Sequence, residues 1–314
     1  MTEMNQTNIS DDVLTAYYDL KRAPITFDFC NFLVAATAQT ALMGKKDFDL
    51  AIVADAFRNI TPREIAYTQV ERQWRLWNLI VETTKLLPYI RNLSIIQRPL
   101  KQFSTNSYPA NYHPTGNNSI VYDKSVLIQV CKKTNLDLRF FRASTYAKRA
   151  AEKLVPDTGK KIVVITLRRA SHDPQRDSRL DAWIDFIKIL EERGFQVVVI
   201  PDQDDALGDR TLNRYGWNVI DIAAMSLDIR VAIYERATMN YVTNGGMVDI
   251  LSYTKVPFMW FSVVVEGSAL AQPKYYEQLG MQYGEKYPWL ADNQEMIWEP
   301  DSLANLAASI DRIK

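Results

Sequence analysis

Ile162-Val163-Val164-Ile165-Thr166-Leu167-Arg168-Arg169 is a run of apolar and β-branched residues that ends abruptly in two guanidinium groups. A run without polar alternation suits a strand buried on both faces, as in a parallel sheet, and the strand is expected over Lys161 to Leu167. The downstream sequence repeats the theme. Arg168 to Asp177 is a polar loop, Ser178 is placed to cap a helix running to Glu192, and Gly194 stands just past its end. Phe195 to Ile200 reads as a strand, Val219 to Ile222 as a shorter one, and Leu227 to Arg236 as a helix. Met239 to Thr243 is a strand, Gly246 to Tyr253 a helix, Val256 to Phe261 a strand, and Ser302 to Ile313 a closing helix. Strand and helix in alternation predict a parallel sheet with right-handed crossovers, of the mononucleotide-binding kind.

The same alternation is legible upstream. Pro24 to Phe29 reads as a first strand and Phe32 to Met43 as a helix with Gly44 as its C-cap. Phe48 to Ala54 is a second strand. Thr61-Pro62-Arg63-Glu64 has the form of a helix start, and Pro88 stops that helix. Leu93 to Gln97 and Leu136 to Phe141 are further strands, and Thr145 to Leu154 a helix. Lys101 to Ser119 is a long loop rich in Asn, Ser, Pro and Tyr. The turn-rich stretch Pro156-Asp157-Thr158-Gly159-Lys160-Lys161 is the linker candidate. The fold class expected is therefore α/β: two Rossmann-like domains with parallel sheets and a cleft between them, divided as 1–155 and 156–314.

Composition agrees with two buried cores. The chain has 314 residues, 47% of them apolar and 24% charged. Its 37 basic and 37 acidic side chains cancel, which disfavours a general nucleic-acid binder. Cys30 and Cys131 do not have metal-site spacing and read as reduced core residues, so a cytoplasmic protein is expected. No apolar run approaches the roughly 20 residues of a helical membrane span. There is no G-x-G-x-x-G, P-loop, H-E-x-x-H or G-x-S-x-G, and with only His113 and His172 a three-histidine metal site is impossible.

The chemistry-bearing residues fall at expected strand ends, where open parallel sheets bind ligands. Arg168 and Arg169 suit a phosphate or diphosphate, or else pair with Asp173 or Asp177. Asn244-Gly245-Gly246 lies between a strand and a helix. It is either a phosphate cradle or simply a tight turn. Asp202-Gln203-Asp204-Asp205 could hold a metal or a ribose, but a solvated loop is the plainer reading. Asp28, at the expected end of the first strand, is a general-base candidate or a helix N-cap. Asp55 and Arg58 follow the second strand. Tyr108, Tyr112 and His113 sit in the long loop, where they are candidates for touching an acceptor. Glu266 and Lys274 flank the loop after Phe261. A glutamate there could hold a ribose, whereas Trp298 reads as core packing.

The C-terminal half resembles that of GT-B-fold glycosyltransferases of the bacterial heptosyltransferase-like and fucosyltransferase-like kind. The resemblance is carried by Ile162 to Arg169, by Tyr241-Val242-Thr243-Asn244-Gly245-Gly246-Met247, and by Lys255-Val256-Pro257-Phe258-Met259-Trp260-Phe261. Thr166 stands where the fucosyltransferase arginine motif has its histidine. The resemblance implies transfer of a sugar from a nucleotide-activated donor to a hydroxyl acceptor, in surface-glycan synthesis. The donor would bind the C-terminal domain through Arg168, Arg169, Asn244, Gly245, Gly246, Glu266 and Lys274. The acceptor would meet Asp28 as base, with Arg58, Tyr112 and His113 nearby. No metal or cofactor is implied. A nucleotide-sugar epimerase on the same fold, or a non-catalytic module that binds nucleotides or sugar phosphates, are the alternatives.

Overall fold

A computed structural model describes residues 13–54, 64–65, 67–97, 103–116, 122–170, 173–268 and 271–313. The chain divides into two compact units, Met1–Ile80 with Leu87–Val130, and Val81–Leu86 with Cys131–Lys314. The boundary differs from the linker at 156–161. The helix Thr145–Leu154 joins the second unit because its N-terminus is tied there. Ser144 caps it and donates N–H and Oγ–H to the two carboxylate oxygens of Asp228, at 2.8 and 2.6 Å. Ala143 N–H donates to Glu235 at 2.8 Å, and Lys148 pairs with the same side chain.

The first unit holds a parallel four-stranded sheet in the order β3-β2-β1-β4, made of β1 (Thr15–Asp19), β2 (Phe48–Val53), β3 (Ile90–Ile96) and β4 (Ser107–Tyr108). The strand expected at Pro24 to Phe29 is absent. Its place at the centre of the sheet is taken by β1, every residue of which is buried. Pro24 has no N–H to give to a ladder, and its carbonyl instead accepts the Tyr18 hydroxyl at 2.6 Å. Tyr18 packs between Phe29 and Phe32, at 4.5 and 4.9 Å between centroids. The chain is thus helical from Asp28 to Leu42, earlier than expected, and Gly44 ends that helix at φ +69°.

Thr61 to Arg63 lie outside the described residues. A complete capping box occurs at Thr68 and Glu71, opening the helix Gln69–Arg75, which continues as a π-helical turn over Leu76–Val81. Leu136 to Phe141 is irregular and joins no sheet among the described residues: Phe140 N–H turns back to the Leu138 carbonyl at 3.0 Å, and Phe141 N–H donates to the Tyr253 carbonyl at 2.8 Å.

The second unit holds a parallel five-stranded sheet, β6-β5-β7-β8-β9. Its strands are β5 (Ile162–Thr166), β6 (Gln196–Ile200), β7 (Met239–Thr243), β8 (Phe258–Phe261) and β9 (Gln294–Met296). A single parallel bridge from Val219 to Val199 extends the β6 edge where a short strand was expected. Val163, Ile165 and Leu167 alternate onto one face and pack with Trp183, Phe186, Tyr241, Met259 and Phe261. Strand order reverses between β5, which leads to β6, and β7, which leads to β8. Ligands of doubly wound sheets bind at such a reversal. Among the described residues no helix is long and apolar enough to cross a membrane.

Candidate functional site

The loops after β5 and β7 meet at that reversal. Arg168 leaves β5 almost fully buried, with 8% of its surface exposed. Its backbone N–H donates to Ser178 Oγ at 2.9 Å, and Ser178 Oγ also contacts Thr243 Oγ1 at 3.0 Å. Ser178 therefore is not the helix cap; Arg179 takes that position before Leu180–Glu192, and Ser178 buttresses the end of β5 against β7.

The Arg168 side chain lies over Gly245. A Cβ at Gly245 would stand 3.3 Å from Arg168 Cδ. The Arg168 Nη1 donates to the Asp173 carbonyl at 3.0 Å and pairs with Asp177. The ion pair with Asp177 is thus present, but it is an almost buried one on the arginine side. Burial raises the Asp177 carboxyl above its ordinary range, and the Ala170 N–H and Arg168 work against that rise.

Gly245 leaves the room that this close approach uses. Neither Gly245 nor Gly246 has a positive φ. The helix behind them, Met247–Leu251, is five residues long, shorter than the expected Gly246 to Tyr253. Its dipole is correspondingly small, so charge at this turn comes from arginine side chains. Gly245→Ala is expected to lower the unfolding free energy by about 1 kcal/mol, since the new methyl must displace a tethered guanidinium stem. Denaturant titration checks this; wild-type stability would mean that the stem yields without cost.

Arg176, a loop residue to which the sequence alone assigns no role, completes the arrangement. Its Nη1 donates to Asn244 Oδ1 at 3.3 Å, and its Nε lies 2.8 Å from Asp173 Oδ2. The same carboxylate oxygen accepts the Ser268 hydroxyl at 2.8 Å, and Asn244 Nδ2 donates to the Val263 carbonyl at 2.8 Å. Asp173 holds this position at φ +52°, a left-handed conformation that costs a non-glycine residue energy. Arg168, Arg176, Asp173 and Asn244 therefore bind the loops after β5, β7 and β8 into one rim.

Glu266 lies on that rim beside Gly267, whose Cβ position is 3.1 Å from Gln175 Oε1. Glu266 is exposed, as is Lys274 in the first turn of the helix Pro273–Gln278. Arg169 turns the other way, toward the loop after β6, where its Nη1 donates to Thr211 Oγ1 at 2.7 Å. Thr211 in turn donates to Asp205 through both N–H and hydroxyl. Asp202 caps the helix Gln203–Leu207 through the Gln203 N–H at 2.7 Å, and burial raises its carboxyl. The acidic run is thus spent on local structure, and among the described residues no group of three His, Cys, Asp or Glu gathers as a metal site. Trp298 is 4% exposed and packs against Tyr276, as a core residue should.

In the first unit the strand order reverses between β1 and β4. Asp28 is placed in the first turn of the helix Asp28–Leu42 rather than at a strand end, and Phe27 holds the N-cap position. Asp28 is half-buried, and its Oδ2 accepts the Thr26 hydroxyl at 2.7 Å. Burial raises the Tyr122 phenol, and the charges of Asp28 and then Glu64 raise it further, which puts the three groups in one neighbourhood.

The residue at the end of β1 is Asp19, 1% exposed. It accepts the Tyr112 hydroxyl at 3.0 Å and the Lys21 N–H at 3.0 Å, and Arg22 Nε stands 3.6 Å away. Arg22 also donates to the His113 and Pro114 carbonyls at 2.8 and 2.7 Å. Tyr112, expected to face an acceptor, is instead 2% exposed and stacked on Tyr17 at 4.4 Å. It anchors the loop because its hydroxyl satisfies a buried carboxylate. Burial and Asp19 together raise its phenol well above the usual range.

His113 on the same loop is exposed. Its Nδ1 accepts the Thr115 N–H at 3.2 Å, so in the neutral ring the proton sits on Nε2. Arg58, like Asp55, lies outside the described residues.

No protein-family model and no curated protein matches this chain. Solved structures do. The ADP-heptose lipopolysaccharide heptosyltransferase II of E. coli matches with a TM-score of 0.57 over 96% of this chain and 98% of its own, at 9% sequence identity. A family 9 glycosyl transferase from Veillonella parvula matches with a TM-score of 0.59 over 98% of this chain and 99% of its own, at 6% identity. At these identities the likeness is one of fold, and the fold of this chain is the GT-B fold of those glycosyltransferases.

Proposed function

We propose that the chain is a glycosyltransferase that moves a sugar from a nucleotide-activated donor to a hydroxyl acceptor. The observation that carries this reading is the rim at the β5–β7 reversal, where two guanidinium groups, Arg168 and Arg176, flank the Asn244-Gly245 turn. A diphosphate bound there competes with Asp177 for Arg168. That carboxyl is already disfavoured as an anion by its burial, so the exchange trades a poorly solvated carboxylate for a more highly charged ligand. Glu266 and Lys274, exposed beyond β8, serve the ribose and the distal phosphate or sugar. In the first unit Asp28 takes the proton of the acceptor hydroxyl, and His113 donates from Nε2 to the acceptor. Catalysis on this reading is positioning plus stabilisation of the departing nucleoside diphosphate, with no metal step. The resemblance of the chain to heptosyltransferase-like enzymes is what supports a part in surface-glycan synthesis, on the cytoplasmic side.

Thermal unfolding in the presence of UDP, GDP, CDP or ADP tests the donor half of the reading. A ligand at a hundredfold excess over its Kd stabilises the folded state by about 2.7 kcal/mol. One of the four is expected to raise the melting midpoint. Arg168→Ala is expected to remove about 1.5–3 kcal/mol of that binding, the worth of a charge-assisted hydrogen bond. No shift with any of the four would overturn the nucleotide donor.

A further inference from the structure

The 37 basic and 37 acidic side chains of this chain are unevenly spread. Residues 132–161 carry nine basic and three acidic ones, which leaves 28 basic and 34 acidic for all the rest. That stretch belongs to the second unit. At its centre the helix Thr145–Leu154 buries Ala147 and Ala151 and packs on the helix Leu227–Arg236. Tyr146, Arg149 and Lys153 follow one another at spacings of three and four residues, so they share one outward flank. All three are exposed, Tyr146 to 80%. Arg142 before the helix, and Lys160 and Lys161 after it, are exposed as well. Among the described residues none of these five cations is in an ion pair, whereas the neighbouring acids are engaged. Asp137 pairs with Arg139 and Lys255, Glu235 with Lys148, and Asp157 accepts the Gly159 N–H at 2.8 Å. Glu152 stands one turn beyond Lys148, on the other flank.

An unneutralised basic face on a chain that is otherwise net acidic has a complement in an extended anion. The shape of that anion follows from the charge segregation. A long nucleic acid would run past these residues onto a surface of like sign. A bilayer is planar, meets one face only, and leaves the acidic remainder in water. Tyr146 fits the same partner, because a ring with an apolar body and a polar tip sits at headgroup level. Lysines supply point charges that suit a diffuse layer of headgroups rather than one bidentate phosphate. Lys160 and Lys161 directly precede β5, at the N-terminal ends of the strands, whereas the rim lies at their C-terminal ends.

We propose that the flank of Tyr146, Arg149 and Lys153, continued by Arg142, Lys160 and Lys161, docks on an anionic lipid bilayer. The attachment is electrostatic and reversible, since the apolar side of the helix is already buried against its own unit.

Co-sedimentation of the full chain with vesicles tests this. Binding is expected to phosphatidylcholine vesicles containing about a third phosphatidylglycerol, and not to phosphatidylcholine alone. It should be lost as salt shortens the Debye length from about 10 Å at 0.1 M to about 3 Å at 1 M. Arg149→Glu and Lys153→Glu are each expected to lower the partition coefficient on the order of tenfold. Lys188→Glu makes the same reversal on the helix Leu180–Glu192, which packs on the other face of the sheet, and is expected to leave binding unchanged. No binding to the anionic vesicles would overturn the proposal, and so would equal binding to phosphatidylcholine or an equal loss in Lys188→Glu. Retention on poly(U) without vesicle binding would give the face to a nucleic acid instead. If a variant fails to fold, acetylation of the wild type decides. Anionic vesicles should shield Lys153, Lys160 and Lys161 and leave Lys188 reactive; uniform labelling would refute the docking. None of these outcomes depends on nucleotide binding.

Discussion

Asp301→Ala is expected to destabilise the second unit by roughly 3 kcal/mol, the cost of leaving several buried donors without an acceptor. Asp301 is 3% exposed. Its Oδ2 accepts the Trp183 indole N–H at 2.7 Å and the Arg179 backbone N–H at 2.9 Å, and its Oδ1 accepts the Ser262 hydroxyl at 3.0 Å. Trp183 is wholly buried, so its N–H has no recourse to water once the carboxylate is gone. Ser262, at the end of β8, sits at φ +56°, and its Oγ also accepts the Asp301 N–H at 3.1 Å. The carboxylate thus holds a strained residue as well as two donors of the helix beyond the rim. For a unit of this size the loss corresponds to a fall in melting midpoint on the order of 10 °C. Pairing the change with Trp183→Phe separates the two contributions. If the indole N–H is the main orphan, the double variant loses less than the sum of the singles. A midpoint for Asp301→Ala within about 2 °C of wild type, less than 1 kcal/mol for such a unit, would show that water or rearrangement satisfies these groups.

The elements that sequence alone placed well are those whose signals are local. β5 and β7 are fully buried strands, and Leu227–Arg236 has a serine cap at Ser226; each emerges within a residue or two of its expected bounds. β1 escaped notice because Ala16, Tyr17 and Tyr18 make too short an apolar run, while Ile25 to Phe29 mimics a strand by composition. Leu136 to Phe141 shows the converse: Leu138 and Phe141 are buried, giving an apolar spacing, but no neighbouring strand offers a ladder. At the site, Arg168 and the Asn244-Gly245 turn were visible as residues at strand ends. Their true relation was not, because the arginine stem fills the space that the glycine leaves. Arg176 with Asn244, and Asp19 with Tyr112, are joined across 68 and 93 residues of sequence. No local pattern marks such pairs; only the closing of the sheet brings them together.

Asp28→Asn is expected to cut turnover by on the order of a hundredfold to ten-thousandfold, the usual contribution of a positioned general base. Turnover here means release of nucleoside diphosphate from the nucleotide sugar that stabilises the chain. The substitution is nearly isosteric, and the Thr26 hydroxyl can donate to the amide oxygen as it does to Asp28 Oδ2. The first turn of the helix Asp28–Leu42 rests on backbone bonds that the change leaves alone, Phe29 N–H to Thr26 at 3.2 Å and Cys30 N–H to Phe27 at 2.9 Å. Stability should therefore stay near wild type. Donor-induced stabilisation should also persist, because the residues assigned to the donor belong to the second unit. Among the described residues the other carboxylate oxygen, Oδ1, has no hydrogen-bond partner, which leaves it to receive a proton. Thr26→Val removes the hydroxyl that fixes the carboxylate and is expected to give a smaller loss of the same kind, in kcat rather than KM. Turnover of Asp28→Asn within about tenfold of wild type would remove Asp28 from the chemistry. If the wild type bound nucleotide but released none from any nucleotide sugar, the chain would be a binding module on a GT-B fold, and the Asp28 carboxylate would have no catalytic part to play.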